Sequence, residues 1–194
     1  MHIIAIIGRS ASGKDTIQKL ITTQFEHIKP VISYTTRPKR EGEIDGREHY
    51  FVDQETFDKI KSDEANILAY TKFPKTGYEY MASSQNMNKD GVYTYIINPE
   101  GIMWLKKNRP DIKITAILLK TSEFIRTKRA KFRGDSYEAF LARNESEDAQ
   151  FKEFEKKAKN VHRVNADFDL HTVWNSVTNI LVQTLPPESL EPRR

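Results

Sequence analysis

Cysteine is absent from this chain, which excludes a disulfide framework and a thiolate metal site. No apolar run approaches the ~20 residues that a bilayer span needs. His2, His27, His162 and His171 stand far apart, without the close spacing of a metal site. There is no internal repeat and no low-complexity tract. An excess of charge of one sign is also lacking. Lys and Arg number 31 against 27 Asp and Glu, for a net charge of +4. With a pI near 9.1, that balance suits anionic small molecules but is too weak to argue for nucleic acid. What remains is polar and globular: 38% hydrophobic residues and 30% charged residues, with a mean hydropathy of −0.66. A length of 194 residues suffices for one domain with a core and a small inserted lobe. The chain opens on a strand pattern rather than a leader, so a cytoplasmic protein is expected.

The densest signal is Gly8-Arg9-Ser10-Ala11-Ser12-Gly13-Lys14-Asp15-Thr16, a phosphate-binding loop of the form G-x-x-x-x-G-K. The apolar run Ile3–Ile7 before it reads as a buried parallel strand. Ile17, Leu20 and Ile21 after it share one helical face, which completes the strand–loop–helix context of the motif. Gly8 and Gly13 let the backbone turn tightly, so that N–H groups of residues such as Ser10, Ala11 and Ser12 can be aimed at an anion. The helix that follows adds the positive end of its dipole. Lys14 can reach β- and γ-phosphates. Asp15 occupies the place where Ser or Thr usually holds Mg²⁺, with Thr16 next to it. Either side chain is a candidate to serve the metal, directly or through water.

Periodicity and punctuation predict a first βα unit over about residues 2–25 and a second strand at Val31–Tyr34. A charged loop follows at 35–50, with a turn signal at Asp45-Gly46. Phe51–Val52 reads as a short strand. Asp53 then caps a short helix whose buried face holds Phe57 and Ile60. Strands are expected at Ile67–Phe73 and Tyr78–Ala82, with a turn at Pro74–Gly77 between them. This middle region reads as a small lobe inserted in an α/β core. The βα rhythm resumes with Val92–Ile97, a helix at Gly101–Lys107, a strand at Ile112–Leu119 and a basic helix at 122–132. Gly134-Asp135 breaks it. A long helix at about 136–159 reads as a mostly solvated structural face. A strand at Val161–Val164 and an amphipathic helix near 170–184 complete the pattern, and residues 186–194 are expected to fray. Trp104 and Trp174 are expected in the core, with Met81 and Met87 as gap-fillers.

A second constellation lies in Ser33-Tyr34-Thr35-Thr36-Arg37-Pro38-Lys39-Arg40-Glu41-Gly42-Glu43-Ile44-Asp45-Gly46. Two arginines sit in a loop after a strand with hydroxyl residues beside them, and arginine forks match phosphate oxygens. Together with the phosphate loop, this run resembles the guanylate kinase family. That family's signature is a phosphate loop, then S-x-T-T-R-x-x-R-x-G-E-x-x-G, then an aromatic-rich short lobe. The likeness covers about residues 3–170. It implies transfer of the γ-phosphoryl group of ATP to a nucleoside monophosphate, with Mg²⁺. By resemblance, Ser33 contacts the acceptor's base, and Arg37 and Arg40 hold its phosphate. His49, next to Tyr50, stands where the family usually has a tyrosine, and Tyr80 lies near its second one. Arg129, Arg133 and Arg143 match lid arginines, and Asn165 matches a residue near the adenine of ATP.

Two departures bear on substrate choice. The family usually has a glutamate at Ala69, where it reads guanine, and an aspartate at Asn98, which helps position the acceptor. Glu79 or backbone carbonyls are left to replace the missing acceptor. The expected fold is therefore a P-loop NTPase-like α/β core, with a parallel sheet flanked by helices. One domain is expected over 1–185: core 1–32, 92–125 and 146–185, acceptor-binding lobe 33–91 and helical lid 126–145. The expected activity is ATP-dependent phosphorylation of a GMP- or dGMP-like acceptor. The same chemistry on another deoxy, modified or pyrimidine monophosphate, or a non-catalytic binding module of the same fold, stays open. The expected partners are small-molecule nucleotides rather than nucleic acid or membrane, with the protein a monomer or homodimer.

Overall fold

The computed structural model describes residues 1–72 and 76–193. Along the chain run β1 (His2–Gly8), α1 (Lys14–Gln24), β2 (Ile28–Pro30), β3 (Ser33–Thr35), β4 (His49–Phe51), α2 (Gln54–Lys61), β5 (Ile67–Lys72), β6 (Glu79–Ser83), β7 (Val92–Ile96), α3 (Pro99–Asn108), β8 (Lys113–Lys120), α4 (Glu123–Phe132), α5 (Tyr137–Lys157), β9 (His162–Asn165) and α6 (Leu170–Thr184). The chain divides into two compact units, one of residues 1–30, 90–100 and 112–194, the other of 31–89 and 101–111. Residues 101–111, which the sequence pattern placed in the core, cluster with the second unit. Among the described residues no helix is long and apolar enough to cross a membrane.

The first unit holds a five-stranded sheet in the order β2-β7-β1-β8-β9, parallel throughout. β1 lies at its centre, and Ile3 to Ile7 are fully buried. A strand covered on both faces needs a continuous apolar run rather than alternation. One face packs Ile4 and Ile6 with Ile117 and Leu119 of β8, Ile17 and Ile21 of α1, and Val173, Val177 and Leu181 of α6. The last three recur every fourth residue, the stripe of a helix facing a sheet. Side-chain caps start the helices: Ser122 for α4, Ser136 for α5 and Asp169 for α6 each accept a first-turn N–H, so orphan donors are satisfied.

The second unit holds a four-stranded sheet in the order β4-β3-β6-β5. β3 pairs parallel to β4 and antiparallel to β6, and β5 pairs antiparallel to β6. Asp53 caps α2 by accepting from Thr56 N, as expected. α2 buries Phe57 against Ile67 and Met81, with Tyr34, Val52 and Ile60 at the rim.

Several sequence expectations are corrected. The strand expected at Val31–Tyr34 is β3, Ser33–Thr35, which pairs with β6 in the second sheet, and just before it lies an unexpected short strand, β2, which pairs with β7 in the first. Trp104 is 38% exposed rather than core, while Trp174 packs partly buried against the core. The expected strand Ile67–Phe73 ends at Lys72, and Phe73, with Pro74 and Lys75 of the expected turn, lies outside the described residues. The tail expected to fray is held through residue 193. Pro187–Leu190 form a 3-10 turn, Glu26 N donates to Glu191 O, Arg193 N donates to Gln24 O, and Pro192 bridges Phe25. Backbone hydrogen bonds to the end of α1 hold it where composition alone suggested a loose end.

Adjacent residues of α6 test this packing. Leu181 is fully buried and Val182 is 63% exposed. Leu181→Ala is expected to cost about 2–5 kcal/mol, and Val182→Ala about 0.5 kcal/mol or less, in urea unfolding at neutral pH. Equal losses would mean that the helix face is misassigned.

Candidate functional site

In the first unit, β1 ends at Gly8 and the chain turns at once. A Cβ on Gly8 would lie 2.4 Å from Ser12 Oγ and 3.2 Å from Leu119 O, so a larger residue there would have to turn the serine hydroxyl aside and push on the β8 backbone. Ala11 and Gly13 take left-handed backbone, with φ of 60° and 99°, which costs little at glycine and more at alanine. Ser12 N donates to Arg9 O at 3.1 Å. Ser12 Oγ is buried and has no hydrogen-bond partner among the described residues. Gly13 caps α1 without a side chain, so the first-turn N–H groups of Lys14, Asp15 and Thr16 lack a capping partner. Such a turn is an anion site.

Lys14 Nζ donates to Gly8 O at 2.7 Å and to Arg9 O at 3.0 Å. Burial, above all, lowers its pKa from the ordinary lysine value. Asp15 and Thr16 are exposed beside it. Arg129 donates to Ser12 O at 3.1 Å and to Ala166 O at 2.9 Å, tying α4 to the loop. Arg129 and Arg133 line a cavity of about 420 Å³ with Gly13, Asp15, Thr16, Phe168 and Leu170. Arg133 and Arg143 share Asp135, at 2.5 and 3.3 Å. Asn165 is not brought into that cavity. Its Oδ1 accepts from Asp167 N at 3.0 Å, and it lines a separate cavity of about 530 Å³. The residues after it, Ala166 and Phe168, line the cavity beside the loop instead.

Sequence reasoning missed two residues here. Glu147 of α5 accepts from Ser10 N at 2.8 Å and Ser10 Oγ at 2.7 Å. Arg126 is buried, donates to Asn144 Oδ1 at 2.8 Å and to Thr121 O at 3.2 Å, and lies over the Phe140 ring. The helix read as a solvated face thus touches the phosphate loop.

In the second unit, strand pairing sorts the candidate acceptor residues by face. Ser33 pairs with His49 and Thr35 with Phe51. Thr35 also pairs with Tyr80, and Ala69 pairs with Ala82. Paired residues share a face, and alternate residues do too. Ser33, His49, Phe51, Ala69, Tyr80 and Ala82 therefore lie on one face. Arg37 joins it: Nε donates to Tyr80 OH at 3.0 Å, and its guanidinium lies 5.3 Å from the Phe51 ring. Ser33 Oγ and His49 Nδ1 are 2.8 Å apart. Burial first, then Arg37, lowers the His49 pKa, so its imidazole is neutral at neutral pH.

Arg37 is 7% exposed, and Glu43 grips it in bidentate fashion at 2.9 and 2.7 Å. Pro38 O accepts from it as well. Arg40 is exposed, and its backbone N donates to Glu43 at 2.7 Å. Tyr50 is on the wrong face. It stacks on Tyr34 at 4.9 Å, away from Arg37, because it is the odd residue of a three-residue strand. Glu79 is also turned away. It is held on the α2 side by Tyr70, by Gln54 at 2.7 Å and by Lys61 at 3.4 Å. It is therefore not free to replace a carboxylate at Ala69. Ala82, which sequence reasoning passed over, adds a second small apolar residue to the Ala69 face. Asn98 is exposed just beyond β7 and belongs to the first unit.

The family model for guanylate kinase matches residues 1–184. A guanylate kinase of Carboxydothermus hydrogenoformans is 30% identical over 148 residues, 73% of this chain and 69% of that one. A guanylate kinase of Caldanaerobacter subterraneus is 29% identical over 147 residues, 74% and 70% of the two chains. The crystal structure of guanylate kinase from Anaplasma phagocytophilum aligns with a TM-score of 0.64 at 18% identity, covering 97% of this chain and 89% of that one.

The Arg37 clamp has an acid test. Hydrogen bonding from Arg37 first, then from Arg40 N, pulls the Glu43 carboxyl from 4.5 down to about 2. A depressed folded-state value contributes stability above the unfolded value and loses it as pH falls through the folded one. The stability gap between wild type and Glu43→Gln should be full above pH 4.5 and close as pH falls towards about 2. Urea unfolding at both ends of that window measures it. A gap independent of pH would show that the ionised carboxylate is not what holds Arg37.

Proposed function

The chain belongs to the guanylate kinase family and is a nucleoside monophosphate kinase, and on that premise we propose that it passes the γ-phosphoryl group of ATP to a GMP- or dGMP-like acceptor. The observation that carries the donor side is the loop Gly8–Thr16: a tight turn that packs Gly8 against Ser12 and Leu119 and opens directly into the N-terminus of α1, which no side chain caps. Its N–H groups hold the donor's phosphates, and Lys14 takes the β/γ end. Arg129 positions the loop through Ser12 O. Arg133 and Arg143, held together by Asp135, supply positive charge for the transferred group. The donor base lies in the cavity beside Arg129, Ala166 and Phe168.

Asp15 and Thr16 present oxygen ligands at the first turn of α1, which suits Mg²⁺, an ion bound by few protein oxygens with phosphate and water completing its shell. Mg²⁺ held there by Asp15 and Thr16 would neutralise charge developing on the donor's phosphates. Arg37 and Arg40 take the acceptor's phosphate, with Tyr80 OH and His49 beside them. Catalysis is by positioning and electrostatics, with no covalent enzyme intermediate.

Base reading is where this chain departs from its family. On the acceptor face Ala69 and Ala82 offer no side-chain hydrogen bond, Glu79 is engaged elsewhere, and Ser33 Oγ is held by His49. A site that hydrogen-bonds one base discriminates by about 10⁴–10⁵, and a site without those groups forfeits part of that factor.

Lys14→Ala is expected to lower kcat by about 10²–10³ or more with an unchanged circular dichroism spectrum. Near-native turnover would remove this loop from the donor site. Arg40→Ala is expected to raise KM for the acceptor much more than KM for ATP, and the opposite pattern would reverse the two assignments.

A second measurement addresses the base. ADP release with ATP, Mg²⁺ and each of GMP, dGMP, AMP, UMP and dTMP should show weaker guanine preference than a purine-reading carboxylate gives. Ala69→Glu should raise kcat/KM for GMP relative to the others. Strict GMP preference in the wild type, with no gain in the variant, would mean that other groups read the base.

A further inference from the structure

α5 sets Asn144, Glu147, Asp148 and Phe151 at spacings of three and four, one stripe of a helix. Each meets a partner in the same unit. Asn144 takes Arg126 at 2.8 Å, and Asp148 takes Arg9 at 3.1 Å. The Phe151 ring lies 5.1 Å from the Arg9 guanidinium. Glu147 differs in reaching the loop itself, with one carboxylate oxygen on Ser10 N and the other on Ser10 Oγ. A carboxylate receiving a main-chain N–H and a hydroxyl in a phosphate loop occupies the role of an anion.

Its place along the loop is fixed by Lys14. Nζ of Lys14 rests on Gly8 O and Arg9 O, at the start of the loop, immediately before Ser10. The lysine of this motif serves the β- and γ-phosphates, while the later amides cradle the α- and β-phosphates. Ser10 and Glu147 therefore stand at the terminal-phosphate end. Glu147 is also the foremost anionic neighbour of the Lys14 ammonium.

We propose that Glu147 makes the donor site sensitive to the terminal phosphate: its carboxylate holds Ser10 with a diphosphate bound and is driven off Ser10 by a triphosphate. The inference rests on the reading of Gly8–Thr16 as the donor loop. It makes Glu147 a positioning and discriminating residue rather than a catalytic one. After phosphoryl transfer the charge opposing it is gone, and re-seating on Ser10 favours the diphosphate-bound form.

The test uses the full chain and isothermal titration with ATP, ADP, tripolyphosphate and pyrophosphate. Glu147→Gln keeps the shape and the acceptor oxygen for Ser10 while removing the charge. It should tighten ATP about tenfold relative to ADP, the size of one unit-charge repulsion in a partly exposed site, and tripolyphosphate relative to pyrophosphate likewise. KM for the nucleoside monophosphate should not move. Asp148→Asn, which loosens the same helix stripe without touching Ser10, should leave both ratios at their wild-type values. A wild-type ATP-to-ADP ratio in Glu147→Gln, or an equal shift in Asp148→Asn, overturns the proposal alone. Failure of the wild type to bind ATP overturns the donor reading and this inference with it.

Discussion

The close approach at the end of β1 governs the phosphate loop of this molecule. β1 is enclosed between β7 and β8 with Ile3 to Ile7 fully buried, so the chain cannot drift as it leaves the sheet. It emerges at Gly8 with Ser12 Oγ and Leu119 O so near that a Cβ would crowd both. That contact fixes where the turn begins, and Gly13 fixes where it ends. Hydrophobic burial of one strand, worth little chemically, thus becomes the placement of an anion site. Arg129 ties α4 to the finished turn through Ser12 O, beside the buried Arg126 and Ala130 of the same helix.

The proposed acceptor face follows from a different constraint, the two-residue period of a strand. Because β3, β4 and β6 are paired in register, Ser33, His49, Phe51 and Tyr80 share a face. Arg37 lies among them, with Glu43 holding its outer edge. Such a guanidinium has little rotamer freedom left to lose when it meets a phosphate. The opposite face repeats the logic for structure: Tyr34, Tyr50, Tyr70, Glu79 and Met81 face the α2 side. One residue of slip in β4 would exchange His49 for Tyr50 and dismantle the constellation.

The same physics explains what could be read without coordinates. The phosphate loop was legible because strand, turn and helix follow one another locally, and each leaves its own mark in apolar run, glycine and periodicity. Most elements were legible for the same reason, and Asp53 as a cap is a local signal. The face of Tyr50 was not, since parity within a strand is meaningless until its partner is known. Nor was β2, because the chain crosses from one sheet to another between Pro30 and Ser33, and an apolar pattern does not mark such a change. Pro186-Pro187 signalled a break in helix, but the bonds that hold the tail come from Gln24 and Glu26, distant in sequence. Glu147 was invisible for a related reason. On a helix rich in both charges, nothing distinguishes a carboxylate that meets solvent from one that meets Ser10, 137 positions away.

These two kinds of legibility correspond to two kinds of recognition. Phosphate is held by backbone N–H groups and by arginine forks, and both demand glycines and arginines at fixed spacing. Such demands survive in a short motif. A base is read by one or two side chains projecting from a strand, where an alanine folds as well as a glutamate. Ala69 and Ala82 pair within the sheet and leave the clamp of Arg37 undisturbed, while offering no side-chain hydrogen bond on the face proposed to read the base. Phosphoryl transfer and base choice can therefore separate in this fold. The first depends on turns the backbone cannot make otherwise, and the second on side chains the fold does not need.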